Sequence, residues 1–235
     1  MAYPRRTPSG ESELDKKSLH PAALDFLYLL DHGYPRRASL ELVGNRYDLN
    51  SLQRHVLHRG VFAREDSTRR RSHLLPPERL TGARLLADGH NVLITVESAL
   101  AGRSLIAATD GVIRDVAGVS HRYRISSLTH EAIDGIFRLL ETYRPQETLF
   151  FLDAPIQHSG ELAAALRAAL DTRGLAGEAQ TVRVPEACFV DPSALVASSD
   201  SAVLDRVKEA VDLAGAVIRS LNRRLHVIDF TGLGE

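Results

Sequence analysis

The feature that most constrains this chain is a recurrence in its second two-thirds: short apolar runs stop on an aspartate and give way to an amphipathic stretch. Leu85-Leu86-Ala87 runs into Asp88, Phe150-Phe151-Leu152 into Asp153, and Val196-Ala197-Ser198-Ser199 into Asp200. Runs this short and this apolar suit strands buried on both faces, and strands alternating with helical patterns suit a parallel sheet. The expected fold is an open, mainly parallel α/β sheet with helices on both faces. All strands of such a sheet end at one edge, where ligands bind, so the three carboxylates are expected to converge.

The rest of the pattern fills in around those strands. Strands are expected at 84–87, 104–108, 112–116, 148–152, 180–184, 194–197, 216–218 and 226–230, and helices at 92–100, 128–143, 159–172 and 202–214. Thr109-Asp110-Gly111 carries the Asp-Gly signal of a hairpin turn. Ahead of the sheet, three short helical patterns lie at 20–32, at 35–47 and after the Asn50-Ser51 cap, a small module of helix-turn-helix type. The organisation read from the chain is an all-α module at 1–62, a basic, Pro-rich linker or extended arm at 63–83, and the α/β domain at 84–235.

With 235 residues, 44% of them hydrophobic, the chain can bury a sizeable core. No apolar run approaches the roughly 20 residues needed to cross a bilayer, and the first residues are polar and Pro-rich. The expectation is a cytoplasmic protein without a membrane partner. The single cysteine, Cys188, excludes an internal disulfide framework and a thiolate cage for zinc. The net charge of −1 conceals a basic front and an acidic remainder.

Convergent carboxylates repel one another, so such a cluster costs stability unless protons or a cation neutralise it. Hard oxygen ligands suit Mg²⁺ or Mn²⁺, which can activate water and stabilise a phosphoryl transition state. The competing reading is plainer: each aspartate caps the helix that follows its strand.

Asp88-Gly89-His90-Asn91, following a strand, resembles the opening motif of the NYN branch of the PIN-like nuclease superfamily. Phe151-Leu152-Asp153 resembles that family's second acidic strand end, and Ser199-Asp200-Ser201 its later Ser-x-Asp segment, the likeness covering about 82–230. The whole chain, helical front included, is also similar to a group of uncharacterised prokaryotic proteins. The PIN-like resemblance implies Mg²⁺ or Mn²⁺ bound by acidic residues and water activated to cleave RNA. Carried over by position, it makes Asp88, Asp153 and Asp200 catalytic residues that ligate the metal or orient metal-bound water, with Asn91 and Ser199 contacting substrate or a carboxylate. The family has a second acidic residue where this chain has Ala202. Asp205, about one and a half turns into the following helix, is the further metal candidate, at the limit of reach.

Outside the acidic set, Arg122 and Arg124 flank Tyr123, a combination suited to phosphate contact and base stacking. Arg69, Arg70 and Arg71 offer a nucleic-acid contact on the expected arm, and Glu97 is an auxiliary acid on the helix that begins at the site. The partner expected is nucleic acid, RNA ahead of DNA, with a homodimer compatible with the pattern. The alternative class is a non-catalytic nucleic-acid-binding regulator built on a degenerate domain. A P-loop, a Gly-rich dinucleotide fingerprint and a G-x-S-x-G elbow are all absent from the sequence.

Overall fold

The computed structural model describes residues 16–116 and 123–234. The front is helical: α1 (Lys16–Asp31), α2 (Arg36–Arg46), α3 (Ser51–Gly60) and α4 (Arg64–His73). α3 starts where its sequence says it should. Asn50 Oδ1 accepts the Gln53 N–H at 2.9 Å while Gln53 Oε1 accepts the Asn50 N–H at 3.0 Å, satisfying two otherwise orphaned donors.

Beyond the front, strands and helices alternate: β1 (Arg84–Asp88), α5 (Gly89–Leu100), β2 (Leu105–Ala107), β3 (Ile113–Asp115), α6 (Ser127–Tyr143), β4 (Glu147–Asp153), α7 (Ser159–Arg173) and β5 (Gly177–Val182). β6 (Leu195–Ala197), α8 (Ser201–Leu204), α9 (Leu213–Ser220) and β7 (Val227–Asp229) complete the chain. The main sheet has the order β5-β4-β1-β6, parallel throughout. A smaller sheet, β3-β2-β7, pairs β2 and β3 as the expected hairpin and adds β7 in parallel.

Alternate residues of the main strands enter different cores, as the pleat requires. Leu85, Ala87, Phe150, Leu152 and Ala197 point into the layer formed by α5, α6, α7 and α9. Leu86, Phe151 and Val196 point the other way, onto Phe189, Val203, Leu204, Val207 and Ala210. Each fully buried Leu or Phe of this kind contributes about 1.5–3 kcal/mol relative to exposure. The helical front closes a third core: Phe26, Val56 and Leu57 pack with Ile106, Ile228 and Phe230 of the small sheet. No helix among the described residues is long and apolar enough to cross a membrane.

Three stretches differ from expectation. The expected linker at 63–83 is largely ordered as α4 and a 3₁₀ turn, Pro77–Leu80. Its burial is invisible to a hydrophobic pattern because its inward residues are Ser67 and Arg70, the latter buried through ion pairs. The expected helix at 202–214 stops at Leu204, because 209–211 instead pair along the outer edge of β6. The Val196 N–H donates to the Glu209 carbonyl at 3.1 Å and the Val211 N–H to the Val196 carbonyl at 2.9 Å, which covers an otherwise open strand edge. The expected strand at 216–218 lies inside α9, a short apolar run whose periodicity cannot separate strand from helix.

Candidate functional site

From β1 the chain crosses to β4 on one side and later returns to place β6 on the other, so the strand order reverses between β1 and β6. In open parallel sheets the crevice at the carboxyl end of such a reversal is the usual ligand site. Asp88 pairs in register with Phe151, and Ala87 with Ala197, so Asp88, Asp153 and 198–200 all lie at that edge.

The turn 88–91 is built around one buried carboxylate. Asp88 is 2% exposed. Its Oδ1 accepts the Asn91 N–H at 3.3 Å, capping α5, while Oδ2 accepts from Asn91 Nδ2 and from Ser198 Oγ, the latter at 3.0 Å. Burial pushes the Asp88 carboxyl up to about 6, against the pull of these hydrogen bonds, and the charge of Asp153 adds to the rise. Among the described residues Asp88 has no cationic partner.

Gly89 lets the turn lie on β4. A Cβ there would stand 2.6 Å from Leu152 Cδ2 and 3.2 Å from the Phe151 carbonyl oxygen. Gly89→Ala is therefore expected to destabilise the fold by about 1–3 kcal/mol, an overpacking cost read as a lower denaturant midpoint at unchanged slope. A midpoint equal to wild type would mean that the turn shifts freely.

Asp153 is partly exposed and caps no helix, since α7 begins only at Ser159. Its backbone N–H donates to His90 Nδ1 at 3.0 Å. Asp200 does cap: its Oδ1 accepts the Ala202 and Val203 N–H groups at 2.7 and 3.3 Å. The plainer reading thus describes the hydrogen bonds of Asp88 and Asp200 but not those of Asp153. Ser199 Oγ is buried with no partner among the described residues, and the Ser199 carbonyl accepts from Arg114 Nε at 2.8 Å.

The expected metal set needs correction at Asp205. Its carboxylate is gripped by Arg70 (Nε at 2.7 Å, Nη2 at 2.8 Å) and by Arg69 at 2.8 Å, and the Arg70 hydrogen bonds hold it below the ordinary carboxylate range. It is committed to those guanidiniums. The same contacts correct the arginine arm at two positions: Arg70 is buried in ion pairs, and Arg69, though exposed, bridges Asp66 and Asp205. Arg122 falls outside the described residues, and Arg124 is exposed. Tyr123 is turned inward, its hydroxyl donating to Glu97 and lying 3.3 Å from Thr129 Oγ1, so its ring is not presented for base stacking. Glu97 holds that hydroxyl inside the core beneath α5.

Two features went beyond the sequence reading: the burial and partners of Asp110, which it placed in the hairpin turn, and Asp212. Asp110, wholly buried in the β2–β3 turn, is bound by both Arg114 guanidinium nitrogens at 2.7 and 2.8 Å and by Arg70 at 3.2 Å. Arg36, Arg70 and Arg114 surround the Phe62 ring, 4.6, 4.3 and 5.0 Å from its centroid. Burial, with Arg70 and Arg114 nearby, lowers the Arg36 guanidinium to about 10. Asp212 is the second: it caps α9 through the Gly215 N–H at 2.8 Å, and burial raises its carboxyl. With Asn91, Ser198 and Ser199 it lines a small crevice between the starts of α5 and α9 and the segment that follows β6. The Asp-x-x-Gly spacing before an apolar run is a helix-start signal that marks it.

Among the described residues no three His, Cys, Asp or Glu side chains are gathered as a ready metal cage. The donors at the edge are oxygens: none of Asp88, Asp153 and Asp200 is ion-paired to arginine among the described residues, and Asp200 is engaged in capping α8, which leaves Asp88 and Asp153. That suits Mg²⁺, which keeps several waters and takes one or two protein carboxylates.

Fold and edge together define an α/β protein with an open parallel sheet that carries Asp88, Asp153 and Asp200 at the carboxyl edge of its strands. The chain belongs to the family described as Domain of unknown function (DUF5616), whose profile matches residues 77–216. Residues 18–73 match a second profile, Protein of unknown function (DUF434), so the two meet beyond α4. Over 209 residues the chain is 28% identical to Uncharacterized protein MJ0935 of Methanocaldococcus jannaschii, covering 88% of this chain and 100% of that one. No solved structure matches it.

Proposed function

We propose that the chain is a divalent-metal-dependent nuclease of PIN-like type that hydrolyses phosphodiesters in RNA, working in the cytoplasm. The observation that carries this reading is Asp88: a buried carboxylate with neutral hydrogen-bond partners, facing Asp153 at the switch of a parallel sheet. Buried charges are as a rule paired or bound to metal. The motif resemblance at Asp88–Asn91, Asp153 and Ser199–Ser201 supports the same reading. Asp88 and Asp153 would hold Mg²⁺ or Mn²⁺, which when bound supplies charge stabilisation for the phosphoryl group and a more acidic water. Asn91 and Ser198 hold the Asp88 carboxylate still, and Asp200 keeps the β6–α8 turn in place. Arg69 and Arg70 of α4 are held in ion pairs, which counts against a regulator that grips nucleic acid through them.

The test is cleavage of single-stranded and structured RNAs, and of DNA, in Mg²⁺ and in Mn²⁺, joined to thermal unfolding. Asp88 has a raised carboxyl in the folded state, so its contribution to stability is full below the ordinary carboxylate value and is lost as pH rises through about 6. Mn²⁺ competes with that proton. It should raise the melting temperature more at pH 7 than at pH 5, and Asp88→Asn should flatten the difference. An Mn²⁺ shift independent of pH, or RNA left intact under every condition, removes the proposal.

A further inference from the structure

His90 is wholly buried between the ends of β1 and β4. Its Nδ1 accepts the Asp153 N–H at 3.0 Å and lies 3.4 Å from the Oδ2 of the same residue. A nitrogen that accepts a hydrogen bond carries no proton there, so the neutral ring is the Nε2–H tautomer. Nε2 is buried without a partner among the described residues, and the ring meets Tyr123 edge-on, centroids 5.8 Å apart at 79°.

Asp153 needs such a hold. Asp88 and Asp200 are steered by the N-termini of the helices they cap, whereas Asp153 ends β4 in an irregular turn that runs to Ser159. The direction of its side chain follows from the peptide plane preceding it, and that plane carries the N–H bound by His90. Gly89 lets the turn approach β4 closely enough for the ring to reach.

We propose that His90 is a positioning residue: from the turn that carries Asp88 it grips the backbone of Asp153 and sets the direction of the second carboxylate relative to the first. Its consequence for cation binding rests on the nuclease reading; the contact itself does not. Ligand-orienting partners of this kind are commonly worth about 10–100-fold in metal affinity.

Imidazole ¹⁵N NMR of the wild-type chain should show His90 protonated at Nε2 and bare at Nδ1; the opposite tautomer overturns the proposal without any mutation. His90→Phe keeps a ring against Tyr123 but loses the acceptor, whereas His90→Asn places an oxygen near the position of Nδ1. In metal-free protein the Asp153 amide should exchange about tenfold faster in His90→Phe, with Phe150 and Leu152 unchanged, and return toward wild type in His90→Asn. Mn²⁺ affinity should follow the same order, about tenfold weaker in His90→Phe and recovered in His90→Asn. Unchanged Asp153 exchange in His90→Phe, or equal Mn²⁺ affinities in three proteins that all bind it, overturns the positioning role. If the exchange pattern holds while wild type binds no Mn²⁺, the contact is upheld and the metal reading fails.

Discussion

Asp88→Asn is expected to lower divalent-dependent RNA cleavage about a thousandfold, equivalent to roughly 4 kcal/mol of transition-state stabilisation, while the protein stays folded. The substitution removes a ligand charge at nearly constant shape. Asn can still accept from Asn91 and Ser198, and loss of a buried, uncompensated charge relieves the metal-free fold above pH 6. Asp205→Asn is the contrasting control. It breaks contacts to Arg69 and Arg70 and should lower the melting temperature without changing the cleavage rate. Purified variants assayed side by side decide the matter: if Asp88→Asn cleaves at the wild-type rate, or Asp205→Asn loses cleavage as Asp88→Asn does, the assignment of roles at this edge is wrong.

Arg114→Met should be the most destabilising single change in the small sheet, at about 3–5 kcal/mol. It strips the bidentate partner from Asp110, which is wholly buried, and removes the donor to the Ser199 carbonyl. Arg70 at 3.2 Å would then be the remaining guanidinium on that carboxylate. Combining it with Asp110→Leu should recover much of the loss, because an apolar pair in place of a buried ion pair is often neutral. Urea unfolding of the single and double variants measures the coupling, and a loss below about 1 kcal/mol for Arg114→Met would show that the ion-pair hub is not holding the turn. Burial alone would raise the Asp110 carboxyl, but Arg114 and then Arg70 hold it below its ordinary value. Its stabilising contribution is therefore present above the ordinary carboxylate value and lost as pH falls, opposite in sign to Asp88.

The strands that carry the acidic residues were legible because their periodicity leaves few alternatives. Leu85, Phe150 and Leu195 announce buried strands, and parallel topology then assigns Asp88, Asp153 and Asp200 to one edge. Capping was equally local: Asn50 with Gln53, and Asp88 with Asn91, lie three residues apart. α4 was misread for the opposite reason. Its buried side chain is Arg70, whose position inside depends on Asp110, 40 residues away, and Asp205, 135 residues away.

What the sequence determined by itself was the alternation of strand and helix, the edge at which the aspartates collect, and the local caps, since each depends on side-chain period or on contacts within one turn. Only the tertiary structure decided which carboxylates stay uncommitted there. Asp205 and Asp110 lie in the same α/β part of the chain as Asp88 and are chemically identical to it, yet arginines from α4 and β3 neutralise them, while Asp88 is buried among neutral donors. The physical reason is that a carboxylate's character is set by the dielectric and the charges within a few ångströms, and those neighbours come from distant parts of the chain.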